Sequence, residues 1–86
     1  MSRITLTAPA HAGGPGMGTA LAIDLIWAVS DAHDHVEHVS AQASPGRIEI
    51  GVFTVLPSPA TAHRLARRAC ERSTALRGWT WSTPGS

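Results

Sequence analysis

The sequence predicts an α+β fold of the order β-α-β-β-α-β, a four-stranded antiparallel sheet with two helices on one face. Three observations carry this expectation. Two β-prone runs flank the turn Ser44-Pro45-Gly46-Arg47, two segments with helical spacing lie outside that pair, and a short alternating run stands near each end. The chain has 86 residues, enough for one domain over 1–86 with residues 83–86 as a tail, burying about 60% of the extended chain's surface.

The first strand is expected over Arg3–Thr7, where Ile4 and Leu6 alternate with polar neighbours. It breaks at Pro9 into the glycine-rich connection His11–Gly18. Thr19–Ala32 then reads as a helix. At about 100° per residue, Leu21, Leu25, Ala28, Val29 and Ala32 share one face with Ala22 beside them. Ile23 and Trp27 fall about 200° and 240° from Leu21, on the side expected to meet water. Next, His35–Ala43 alternates again, with Val39, Ala41 and Ala43 on one side and His38, Ser40 and Gln42 on the other. Pro45 and Gly46 occupy the central positions of a turn that needs a positive φ at its third residue. Arg47–Leu56 is the most β-prone run, so the two segments are expected to pair as a hairpin. Ile48, Ile50 and Val52 should face the helices, leaving Glu49, Phe53 and Val55 on the open sheet face.

The second helix begins at Ser58 as N-cap with Pro59 in the first helical position. Ala62, Leu65, Ala66, Ala69, Ser73 and Leu76 form its inner stripe, and Gly78 is available to end it in the left-handed region. Gly78–Ser82 reads as a last short strand, in which Trp79 and Trp81 share a face that is expected to lean towards the core. Two βαβ units, each split by a strand between its parallel pair, make this order similar to the ferredoxin-like arrangement. That likeness concerns the fold alone, since folds of this kind carry many unrelated functions.

Composition narrows the function classes. A net charge of +1 gives no basic excess of the kind that phosphate neutralisation requires, so no nucleic-acid partner is expected. RNA readers of this topology place stacking aromatics on the two central strands, where this chain offers only Phe53. The longest apolar stretch, Ala20–Val29, is interrupted by Asp24 and is far shorter than the ~20 residues of a membrane span. The N-terminal run alternates and shows no secretory pattern, and Cys70 is the only cysteine, so the expected location is the cytoplasm. Cys70 itself is expected to be a half-buried thiol without an activating partner.

Three stretches are chemically suggestive. Asp31–His38, DAHDHVEH, packs three histidines and three carboxylates into eight positions. His33, His35, Glu37 and His38 read H-x-H-x-E-H, which resembles the H-x-H-x-D-H zinc signature of the metallo-β-lactamase family. The resemblance covers six residues, and it implies zinc held by imidazole nitrogens. That family's sandwich is more than twice this length and draws further ligands from distant loops, so its fold is not implied. As a metal site, the candidate ligands are Asp31, His33, His35 and His38, one helical turn bringing Asp31, His35 and His38 together. As a junction, Asp31 and Asp34 end a helix while His35 and Glu37 face water. No cofactor is required on the second reading, and Zn²⁺ is the cofactor of the first.

The Gly13–Gly18 loop places Gly14, Gly16, Gly18 and Thr19 at a helix start, where backbone N–H groups attract anions. It lacks the Lys-Ser/Thr ending of a phosphate loop. It resembles in position the ligand loop of ferredoxin-like amino-acid sensors, so it is the candidate small-ligand site. Arg64, Arg68 and Arg72 recur every four residues on the second helix and read as a solvated face. No catalytic residues are nominated, and enzyme activity is not expected. Apolar side chains point instead to contact between proteins: Ile23 and Trp27 on the outer side of the first helix, Phe53 and Val55 on the open sheet, and Trp79 and Trp81, which lie on an edge strand whichever face they take. The expected function is a small regulatory protein–protein interaction module acting as a homo-oligomer, with an unidentified protein as a possible further partner. The alternative is a sensor of small ligands or metal.

Overall fold

A computed structural model describes residues 1–9, 18–55 and 59–84. Its elements are β1 (Ser2–Thr7), α1 (Thr19–Val29), β2 (Val36–Ser44), β3 (Arg47–Thr54), α2 (Pro59–Arg72) and β4 (Thr80–Ser82), with 3-10 turns at Ala32–Asp34 and Thr74–Leu76. The strands form one sheet in the order β2-β3-β1-β4, and every neighbouring pair is antiparallel. The result is a small α+β fold with a four-stranded antiparallel sheet and two helices.

Alternation decides which strand residues are buried. Ile4 and Leu6 pair with Ile50 and Ile48, and Val39 pairs with Val52. All six are buried in one cluster with Ala22, Ile26 and Val29 of α1 and Ala62, Leu65, Ala66 and Ala69 of α2. Both helices therefore cover the same side of the sheet. The expected inner face of β3 and the expected inner stripe of α2 up to Ala69 are observed. Gly46, at φ +71°, supplies the positive φ that the hairpin turn requires.

β2 contains a bulge between Val36 and His38, where Glu37 is the extra residue opposite the Phe53–Thr54 step. Strict alternation would put Val36 and Val39 on opposite faces. The bulge resets the phase, so Val36 packs against the core that buries Val39. Trp81 pairs with the buried Leu6 and so lies on the helix-covered side, as does Trp79 two residues before it. Both indoles are half-buried against the core, and Trp81 meets His63 of α2 edge to face at 4.6 Å.

Several boundaries and one helix face differ from expectation. α1 ends at Val29, three residues before Ala32, because the chain leaves the helix at the extended Ser30. His35 is not the first residue of β2. It ends the 3-10 turn with φ +53°, in the left-handed region. α2 stops at Arg72, and the buried Leu76 sits in the following 3-10 turn. Thr83, expected in a tail, is buried. The expected N-cap Ser58 lies outside the described residues.

The larger correction concerns the inner face of α1. Its buried residues are Ala22, Ile26 and Val29, with Ile23 and Leu25 half-buried beside them. Leu21 is 45% exposed, and Ala28 and Ala32 are exposed. The expected stripe was therefore turned by about a quarter of the circumference. A helix with only one charged residue leaves its inward face weakly specified by periodicity. Asp24 marks the outward direction, and the arc opposite it holds Ala22, Ile26 and Val29.

Candidate functional site

The DAHDHVEH stretch folds as a junction clamped by the second helix. Asp31 accepts from the His33 N–H at 2.8 Å, and Asp34 accepts from the Asp31 N–H at 2.8 Å, a reciprocal capping box around the 3-10 turn. Asp34 is only 3% exposed, a setting a carboxylate tolerates only when paired. Arg68 of α2 donates to Asp34 Oδ2 at 3.0 Å and to the Val29 carbonyl at 3.1 Å. Arg64 lies 3.6 Å from Asp34 Oδ1 and donates to Thr61 Oγ1 at 3.2 Å.

One guanidinium thus neutralises the buried carboxylate and satisfies a carbonyl at the negative end of α1. Burial pushes the Asp34 pKa up, but the Asp31 N–H, Arg68 and Arg64 together outweigh it and hold the carboxyl below its ordinary value. The arginine row is accordingly a solvated face only in part, with Arg72 exposed as expected. Arg68 and Arg64 are spent on the junction.

The imidazoles do not converge. The His33 side chain is almost fully exposed, His35 is turned out by its left-handed backbone, and His38 lies on the open sheet face 5.4 Å from the Phe53 ring. Among the described residues, no group of three or more His, Cys, Asp or Glu stands close enough to hold a metal ion. Of the four expected ligands, Asp31 and His33 stand 3.6 Å apart, while His35 and His38 do not join them. Of the expected ligand loop, Gly14 and Gly16 lie outside the described residues, while Gly18 is the exposed N-cap of α1 and Thr19 its exposed first residue. Cys70 is half-buried, and burial, with a smaller effect from Glu71, raises its pKa away from the thiolate range.

The apolar surface candidates separate into three places. On α1, Trp27 is 43% exposed while Ile23 is half-buried against the core. On the open sheet face, Phe53 is 38% and Val55 62% exposed. Trp79 and Trp81 are half-buried against the core of the chain itself, as described above. The same open face carries a shallow depression of about 240 Å³ lined by Met1, Arg3, Ser40, Gln42, Glu49 and Gly51. Gly51 is small for a reason: a Cβ there would meet Met1 Sδ and Ser40 Oγ at 2.8 Å each.

Sequence reasoning missed Asp34 as the central residue of the junction. The signal was present as D-x-x-D, a carboxylate three residues after an N-cap, together with arginines four apart on a later helix. No protein-family model, curated protein or solved structure matches the chain. No helix among the described residues is long and apolar enough to cross a membrane.

Proposed function

We propose that this protein is a non-enzymatic protein–protein interaction module of ferredoxin-like architecture that acts as a homo-oligomer in a regulatory role. The strand order β2-β3-β1-β4, read from the other edge as β4-β1-β3-β2, and the antiparallel pairings support the fold label. The observation that carries the functional reading is Trp27. It leaves 43% of an indole in water on a helix whose inner face is already filled by Ala22, Ile26 and Val29. Phe53 and Val55 add a second apolar exposure on the open sheet. Among the described residues the buried polar side chains are Asp34, Thr61 and Thr83, and no buried side-chain nitrogen or oxygen lacks a partner, so this polar interior serves the scaffold.

Sedimentation equilibrium at tens of micromolar tests the reading. A dimer or larger species is expected, and a strictly monomeric mass would overturn it. Trp27→Glu should weaken assembly at least about tenfold, the effect of losing ~1.4 kcal/mol at a contact, while leaving the monomer folded. Phe53→Glu is the matching test of the sheet face.

A further inference from the structure

We infer that the partner at the β2 edge is a second copy of the chain, joined by antiparallel β2–β2 pairing into a continuous sheet, with the Trp27 side of α1 closing over the seam. This rests on the homo-oligomer reading above and names the surface that it uses.

β2 is an outer strand of the sheet, nine residues long, whereas the other outer strand, β4, has three. Ala8 N–H donates to the Gly46 carbonyl at 2.8 Å. Stepping by twos along β3 from Gly46, Ile48, Ile50 and Val52 turn their backbone groups towards β1, and Glu49, Gly51 and Phe53 turn theirs towards β2. On β2, His38, Ser40 and Gln42 are thus the residues bonded to β3. Val39, Ala41 and Ala43 present their N–H and C=O groups to the open edge.

That edge is self-complementary. A twofold axis at Ala41 pairs Ala41 with its symmetry mate and Val39 with Ala43 of the second copy, giving about six backbone hydrogen bonds from three narrow pairs. Native edges are normally guarded by Lys, Pro, inward charge or bulges. Here the only bulge and the only charge sit at Glu37, at the start of the strand, and His38–Ser44 contains no Lys, Arg, Asp, Glu or Pro. The side chains turned to the helix layer at the seam include Ala41 and Ala43, small enough to admit a neighbour's bulk.

α1 packs mainly on β2, while α2 packs on β1 and β4. A right-handed β1–α1–β2 connection, the hand that twisted strands impose, turns the Ile23–Trp27 side of α1 towards the β2 edge and the Leu21–Ala28 side towards α2. The exposed indole and the unguarded edge therefore lie on one flank. His38–Ser44 is about 24 Å long, and the molecule is 20 Å across its thinnest direction. A flank of that size offers about 500 Å² per partner, at the small end of protein contacts, so the pairing is expected to dissociate on dilution through the micromolar range.

Two measurements on the full chain test the inference. Amide hydrogen exchange by NMR at about 5 and 500 µM should show Val39, Ala41 and Ala43 gaining at least tenfold protection with concentration, while Ser40 and Gln42 stay protected at both. Ala41→Pro removes an outward N–H without touching the ladder to β3, and it should raise the dimer dissociation constant at least tenfold. A monomeric wild-type chain would overturn both this inference and the oligomer reading. An oligomer whose 39, 41 and 43 amides stay unprotected, or one dissociated by Phe53→Glu but not by Ala41→Pro, would overturn the edge alone. Should Ala41→Pro fail to fold, the exchange pattern decides.

Discussion

Asp34 shows how much one side chain can hold in a chain this small. Its carboxylate receives the Asp31 N–H and the Arg68 guanidinium, and Arg68 reaches on to the last turn of α1. Arg68→Ala would leave a buried carboxylate short of its main partner, so urea unfolding should show a loss of about 3 kcal/mol. The pH dependence has a definite sign. Asp34 has a lower pKa folded than unfolded, so its contribution is complete above the unfolded value of about 3.9 and is lost as pH falls through the folded value. Unfolding midpoints between pH 6 and pH 2.5 should therefore drop in the acid limb, and Asp34→Asn should flatten that drop. A limb unchanged in the variant would assign the acid response to other carboxylates.

At the level of elements, α1 and α2 contrast. α2 separates its arginines from a buried Ala-Leu stripe, and its inner face was readable from spacing alone. α1 is apolar nearly all round, and only its packing on β2 and β3 chose Ile26 over Leu21. Ile26→Ala should cost about 3 kcal/mol in urea unfolding, because it opens a cavity between helix and sheet, while Leu21→Ala should cost under about 1 kcal/mol. Equal losses would mean that both sides of α1 are filled. The β2 bulge belongs to this scale as well. Its sequence sign is two valines three apart in a strand otherwise of period two, a spacing that alternation cannot bury on one face without an extra residue.

For the whole molecule, one side of the sheet is covered by two helices, and among the described residues the other carries no helix, with Met1 and Ser40 lying over Gly51. An oligomer stabilised at the β2 edge binds native chains and not unfolded ones, so the melting temperature should rise with protein concentration, by about 3 °C per tenfold. A concentration-independent melting temperature from 5 to 500 µM would contradict self-association. The order of elements, the hairpin at Pro45-Gly46, the inward faces of β1 and β3, and the buried stripe of α2 are legible in the residues alone, because each depends on a local period or a turn residue with one permitted backbone. So is Trp27 as an apolar residue in excess of the core's needs. The inward face of α1, the pairing of Arg68 with Asp34 across 34 positions and the scatter of the histidines emerge only once the elements pack. These depend on distances between segments remote in the chain, and no local period encodes such distances.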